Sequence, residues 1–254
     1  NRFSRLLQIE FFSMKRFFTK PDSALVIAAH PDDAEFQCGA TLAKWAASGT
    51  TVHYLICTDG SKGTWDPAVD QKALVVARQK EQIAAARRLG ATGSVLFLEQ
   101  IDGELQSDLA TRSQVAKAIR QLRPDAVLGH DPWRRYRLHP DHRHAGLLAI
   151  EGIVAARDPF FFPEHALEPH RPSVALLFEA EEPDHAEDVA GWASAKSAAL
   201  LEHRTQFITT HGIQDPHNSE QVREFEFRIE QQLIDAGQPY GLESAELFKV
   251  ILDL

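Results

Sequence analysis

Five short runs of apolar and β-branched residues, separated by longer segments at helical spacing, constrain the fold of this chain more than any other feature. They are ALVIAA (24–29), TVHYLIC (51–57), SVLFL (94–98), DAVLGH (125–130) and VALLFEA (174–180). A strand that reads as a nearly continuous apolar run is buried on both faces, and strands that alternate with helices are joined by crossovers. The expectation is therefore an α/β chain whose mostly parallel sheet is covered by crossover helices. The segment GATLAKWAASG (39–49) reads as a helix stopped by Gly49, and residues 70–89 repeat apolar side chains at three- and four-residue steps before Gly90. Further helices fit 108–122, 141–156, 194–208 and 219–235, while the Pro-rich stretch 158–172 reads as irregular.

With 254 residues and no polar linker or composition break, the chain is expected to form one domain over residues 14–254. Residues 1–13 precede the only methionine, Met14, and lack a signal-peptide core, so they are expected to be a non-native or disordered extension. A net charge of -9 argues against nucleic acid as a partner, because phosphate binding needs a basic face. The longest apolar runs fall far short of the roughly 20 residues that cross a bilayer, so no membrane span is expected. Cys38 and Cys57 form no CxxC pair and suggest no disulfide framework, which fits a reducing cytoplasm.

In open α/β sheets ligands sit beyond the carboxyl ends of the strands, and two polar clusters follow strands there. The first strand runs directly into HPDDAE (30–35), which places His30, Asp32, Asp33 and Glu35 at the end of a buried apolar segment. That is costly unless something binds them. Pro31 biases His30 toward an extended conformation and begins a turn, so His30 and Asp33 can converge on one cation while Asp32 points elsewhere. Nitrogen and oxygen ligands of this kind suit zinc. The competing account is helix capping by Asp32 or Asp33.

The fourth strand leads through DPWRRYRL (131–138) into HPDH (139–142). Pro140 fits the first position of a helix, and His139 and His142, three residues apart, can share a face. A catalytic zinc typically takes three protein ligands and leaves a fourth position to water, so His30, Asp33 and one of His139 or His142 would complete the set. The spare histidine could stabilise a tetrahedral intermediate or protonate a leaving amine, and Asp141 could orient an imidazole. A capped helix with two solvent-facing histidines is the alternative.

Taken together, AHPDDAE (29–35), CGATLAKWAASG (38–49), TDG (58–60) and HPDHRHAG (139–146) resemble the PIG-L/LmbE family of zinc-dependent N-acetylglucosaminyl deacetylases. Weaker likenesses in ARQKEQIAAARRLG (77–90), DGEL (102–105) and KSAALLEHRTQF (196–207) extend the resemblance over roughly residues 24–250. It implies a Rossmann-like three-layer αβα domain, a Zn2+ cofactor and a small-molecule aminosugar substrate. It also implies His30, Asp33 and His142 as zinc ligands, Asp32 as general base, His139 as the electrophilic or acid partner, and Arg78 as a substrate contact. Glu35 is expected to fix the ligand loop or to form a salt bridge with a neighbouring helix. Asp59 and Asp102 are either substrate-side residues or ordinary turn residues.

Trp133, Arg134, Arg135, Tyr136 and Arg137 precede HPDH in an otherwise acidic chain. At least one arginine is expected to meet an anionic part of the substrate while Trp133 or Tyr136 stacks on a sugar face. Pairing of the arginines with surface carboxylates and a tryptophan sealing the core is the competing account. Three functions compete: N-deacetylation, hydration of a carboxylated small molecule on the same metal site, and noncatalytic metal or ligand binding. Retention of Asp32 beside a full ligand set favours catalysis. No GxSxG nucleophile follows any strand, which disfavours serine-based hydrolysis. Association into a homo-oligomer is compatible with the sequence.

Overall fold

All five expected strands form, within one or two residues of the expected bounds: β1 Ser23–Ala28, β2 Thr51–Thr58, β3 Val95–Gln100, β4 Ala126–His130 and β5 Val174–Phe178. The structure is a computed structural model that describes residues 18–252 and 254, so the expected extension at 1–13 lies outside it. The five strands are parallel and stand in the order β3-β2-β1-β4-β5. Two further strands, absent from the sequence reading, complete the sheet beyond β5: β7 (Ala245–Ile251) and then β6 (His185–Asp188) at the edge. Among the described strands β7 alone is reversed, pairing antiparallel with both neighbours. Neither sequence reads as an apolar run, since β6 is HAED and β7 is AELFKVI with Glu246 and Lys249 inside it.

The helices are α1 Asp33–Ala47, α2 Gln71–Arg88, α3 Leu109–Leu122, α4 Pro140–Arg157, α5 Ala193–Leu200 and α6 Ser219–Gly237. Asp70, Asp108 and Asn218 cap α2, α3 and α6 by accepting first-turn N–H groups, each worth about 1 kcal/mol. Two expected helices are corrected. The helix expected from Gly39 is the second part of α1, which starts at Asp33 and breaks helical geometry at Cys38 (φ −142°). The carboxylate of Glu246 accepts the Ala40 and Thr41 N–H groups just past this break (3.1 and 2.7 Å) and pairs with Lys196 Nζ at 2.7 Å. It thus caps a helix segment from a different strand. The helix expected over 194–208 ends at Leu200, after which a 3-10 turn (Arg204–Gln206) and a π turn (Phe207–His211) follow. His203, just before the 3-10 turn, is fully buried against Glu35, a contact that a continued helix would have to satisfy from a different direction.

Strand alternation divides the core into two layers. Ala24, Val26 and Ala28 of β1 face a cluster with Leu42 and Trp45 of α1, Ala85 of α2 and Ala199 of α5. Leu25 and Ile27 face the opposite cluster, with Val115 and Ile119 of α3 and Leu148 and Ile153 of α4. The result is three layers, αβα. At roughly 1.5–3 kcal/mol for each large side chain fully buried, the two faces dominate the stability of the sheet. From β1 the chain builds outward through β2 to β3, and from β4 it builds the other way to β5, so the order reverses between β1 and β4. That reversal opens a crevice beyond their carboxyl ends. No described helix is long and apolar enough to cross a membrane.

Candidate metal centre

The crevice receives both polar clusters. Leaving β1, the chain enters His30 and Pro31 and then reaches Asp32, whose φ of 93° lies in the left-handed region. For a residue other than glycine this costs on the order of 1–3 kcal/mol and persists only where the surroundings enforce it. Here they do: Gln82 Oε1 accepts the Asp32 N–H (3.0 Å), and Gln82 Nε2 donates to Glu35 Oε1 (2.8 Å). The other oxygen of Glu35 lies 3.3 Å from His203 Nε2. Arg78, only 3% exposed, donates to the carbonyls of Pro31 (2.6 Å) and Gly60 (2.9 Å) and stands 3.7 Å from Asp32 Oδ2. Capping does not account for the cluster, because Asp32 occupies the N-cap position of α1 without a side-chain cap bond. Its Oδ2 is buried with no hydrogen-bond partner among the described residues.

The second cluster arrives on the first turn of α4. Pro140 begins the helix, and its N-cap, His139, makes no side-chain cap bond. Gly146, one turn on from His142, lets the helix approach closely: a Cβ there would stand 2.5 Å from the His130 carbonyl oxygen. This presses Asp141 (0% exposed) and His142 (8%) into the end of the sheet. Three contacts of 3.3 Å then link the expected ligands: His30 Nδ1 to Asp33 Oδ2, His142 Nε2 to Asp33 Oδ1, and His142 Nε2 to His30 Nδ1. These exceed the length of a good charge-assisted hydrogen bond. Each is close to the edge of a tetrahedron, about 3.3–3.4 Å, around a cation bound at about 2.0–2.1 Å, with Asp33 turning Oδ2 to His30 and Oδ1 to His142. A calcium site would need more oxygens at longer range. On its far side His30 Nε2 meets Asp141 Oδ2 at 3.1 Å and Asp102 Oδ1 at 3.3 Å, so this nitrogen keeps its hydrogen while Nδ1 would give its lone pair to a bound cation.

The electrostatics describe a site that asks for positive charge. Burial opposes the His30 imidazolium, but hydrogen bonds to Asp102, Asp141 and Asp33 outweigh it and hold His30 well above its usual range. Burial also opposes the His142 imidazolium, yet Asp33 and Glu179 lift its pKa to about 9. Asp33 is held well below the carboxylate range, since His142, His130 and His30 overcome the cost of its burial. A divalent cation would replace these ring protons. Asp32 goes the other way: burial raises it to about 6 against the pull of Arg78 and His203. His139 is lowered by burial and by the neighbouring charges of His30 and His142, and its ring stands edge-on to His30 at 4.6 Å.

The remaining expected residues distribute as follows. Asp102 gives Oδ1 to His30 and Oδ2 to the Lys62 N–H (3.0 Å). Asp59 accepts the Ser61 and Asp102 N–H groups (2.9 and 3.0 Å), the behaviour of a turn residue. Of the three rim arginines, Arg137 reaches the centre, with Nε 2.8 Å from His142 Nδ1 and Nη2 3.0 Å from Glu179 Oε1. Arg134 donates to the Glu179 carbonyl (2.9 Å), and Arg135 pairs with Glu181 (2.7 Å). Trp133 and Tyr136 are 61% and 90% exposed, so neither seals the core. Trp133 lines a surface cavity of about 300 Å³ with Arg135, Glu181 and Glu182.

Sequence reasoning missed Gln82, His130, Glu179 and His203. For His130 and Glu179 a signal existed, because each is a polar residue at or just past the end of a buried parallel strand, where ligands collect. Gln82 and His203 lie within helical or post-helical sequence and carry no such mark.

Known proteins are similar to this chain over half of its length or more. The sequence model of the PIG-L family, described as GlcNAc-PI de-N-acetylase, matches residues 25–153. Diacetylchitobiose deacetylase of Thermococcus kodakarensis is 35% identical over 208 residues, covering 81% of this chain and 78% of the relative. The solved N,N'-diacetylchitobiose deacetylase from Pyrococcus horikoshii, complexed with its inhibitor MPG, superposes with a TM-score of 0.83 at 29% identity, over 95% of this chain and 88% of that one. A 4-oxalmesaconate hydratase of Pseudomonas putida is 29% identical over 232 residues, covering 81% of this chain and 86% of the relative.

Proposed function

Because this chain belongs to the PIG-L family of de-N-acetylases, we propose that it is a zinc-dependent amide hydrolase that removes the N-acetyl group from an aminosugar-containing small molecule or conjugate. The observation that carries this reading is the set of 3.3 Å contacts among His30, Asp33 and His142 beside the unpartnered carboxylate oxygen of Asp32. Zinc bound by the three ligands would lower the pKa of a water from about 15.7 toward about 7 and polarise the acyl carbonyl.

The chain's own residues do the rest. Asp32 Oδ2 takes the proton of the water that attacks the acyl carbon, and its raised pKa makes it a better proton holder than a surface carboxylate. Arg78 and the Gln82 bridge keep that carboxylate from turning away. His139, held neutral at pH 7 by its lowered pKa, donates an N–H to the oxyanion that forms on the former carbonyl oxygen. Asp32 then returns its proton to the amine nitrogen as the C–N bond breaks, which releases acetate and the free aminosugar. Arg137, beside His142, and Trp133, exposed on the same loop, recognise the rest of the substrate.

A second reading, hydration of a carboxylated small molecule, is favoured by the hydratase relative and by Arg137, since a guanidinium suits a carboxylate. An acetate-release assay of the zinc-loaded protein separates the two. Diacetylchitobiose, N-acetylglucosaminyl-inositol and an unsaturated dicarboxylic acid are supplied in parallel. Acetate from an N-acetylated sugar supports deacetylation, whereas loss of unsaturated-acid absorbance without acetate would replace it with hydration.

A further inference from the structure

Glu179, which no part of the deacetylation chemistry uses, stands directly behind the metal centre. It follows β5 in the left-handed region (φ 56°), a strained position for a non-glycine residue, and its carbonyl is held by Arg134 at 2.9 Å. Its side chain is 9% exposed. One oxygen, Oε2, lies 3.1 Å from His130 Nδ1 and 3.6 Å from His142 Nδ1, and the other, Oε1, lies 3.0 Å from Arg137 Nη2. His130 in turn accepts the Ala29 N–H on Nε2 (3.3 Å), which leaves its Nδ1 as the N–H that Glu179 receives. The same His130 Nε2 is 3.5 Å from Asp33 Oδ2. One carboxylate therefore stands behind both His130 and His142.

From this geometry we propose that Glu179 is a positioning residue of the metal centre, acting on the outer nitrogen of His142 against the competing hydrogen-bond donors of Arg137. The inference rests on the reading of His30, Asp33 and His142 as zinc ligands. To ligate through Nε2, a neutral His142 must carry its hydrogen on Nδ1, and that N–H needs an acceptor. Glu179 is an acceptor; Arg137, whose Nε lies 2.8 Å from the same nitrogen, is a donor only. While Arg137 donates into Nδ1, the hydrogen sits on Nε2 and the ligand lone pair is lost. Glu179 reverses this in two ways. It offers Oε2 to His142, and its Oε1 is a competing acceptor for the Arg137 Nη2 that also meets His142 Nδ1. Glu179 and Arg137 form an ion pair, yet they have opposite effects on the ligand, and that opposition distinguishes a tautomer-setting role from packing.

The test is zinc affinity, measured by competition with a chelator at pH 7.5 for the wild-type chain and for Glu179→Ala, Glu179→Gln, Arg137→Ala and Asp33→Ala. Glu179→Ala is expected to weaken zinc by about 10- to 100-fold, the range for loss of a carboxylate behind a ligating histidine. Glu179→Gln, which keeps an acceptor oxygen at the same place, should recover part of that loss. Arg137→Ala should bind zinc as tightly as wild type or more tightly. Equal weakening in Glu179→Ala and Arg137→Ala would mean that the pair merely supports the loop, and would overturn the proposal, as would unchanged affinity in Glu179→Ala. Two zinc ions per wild-type chain would also overturn it, by making Glu179 a ligand with His130 and His142. Wild-type chain without zinc, or Asp33→Ala with full occupancy, would overturn the ligand assignment itself.

Discussion

The loops that follow β1 and β4 meet at one crevice, yet they are built on opposite principles. Residues 29–33 are buried throughout, contain a left-handed aspartate, and are tied to α2 and β4 by Arg78, Gln82 and His130. Residues 133–136 are exposed, and their long side chains end in surface ion pairs such as Arg135 with Glu181. Buried hydrogen bonds are costly to break because the orphaned partner cannot find water, whereas exposed ion pairs contribute about 0–1 kcal/mol. On the proposed function, the first loop would fix the reacting groups and the second would control what reaches them. Substitutions in the first should abolish chemistry or change stability; substitutions in the second should change selectivity.

The largest effect is expected at the ligands. Asp33→Ala or His142→Ala should lose zinc occupancy by metal analysis, and acetate release should fall by more than about 10³-fold, because an incomplete shell cannot hold the cofactor. Next comes Asp32 as a stability element of the metal-free protein. Its folded pKa, about 6, lies above the ordinary value of 3.8, so the fold binds an extra proton between about pH 4 and 6, and ionised Asp32 costs stability above that window. Asp32→Asn should therefore melt higher than wild type at pH 7, by at most about 3 kcal/mol of stability, with the advantage shrinking as pH falls to 4. Asparagine also tolerates the left-handed backbone better than most residues. A constant difference across that pH range would contradict the assignment.

Smaller effects follow outward from the buried loop. Gln82→Ala leaves the Asp32 N–H and a Glu35 oxygen without their partner, and should cost about 1–3 kcal/mol in denaturant unfolding. At the rim, Trp133→Ala should raise KM for whichever N-acetylated sugar releases acetate by roughly tenfold or less, corresponding to about 1 kcal/mol of stacking, with kcat nearly unchanged. Arg135→Ala, which removes an exposed pair, should change stability by less than about 1 kcal/mol. If Arg135→Ala proved as damaging as Gln82→Ala, the contrast between the two loops would fail.

The legible parts of this molecule share a cause. Parallel strands buried on both faces spell themselves as apolar runs, so β1 to β5 could be read directly, and the helices between them follow from periodicity and caps such as Asp70 and Asn218. β6 and β7 could not be read in the same way, because the buried carboxylates of Glu187 and Glu246 are satisfied by Lys44 and Lys196 from distant helices. The candidate metal site divides similarly. His30 with Asp33 and His139 with His142 lie within short motifs, so local sequence marks them. Gln82, His130, Glu179 and His203 reach the same crevice from four different segments, and only the strand order brings them together.

The central claim is that the first loop separates metal binding from proton transfer, with Asp33 holding the ion and Asp32, one residue earlier, moving the proton. Its most direct test is acetate release by Asp32→Asn from the N-acetylated sugar that the wild type deacetylates, measured on protein whose zinc content has been determined in the same preparation. The account predicts one zinc per chain and turnover lowered about 10²- to 10⁴-fold, the usual scale for removal of a general base. Turnover equal to wild type at full zinc occupancy would contradict it.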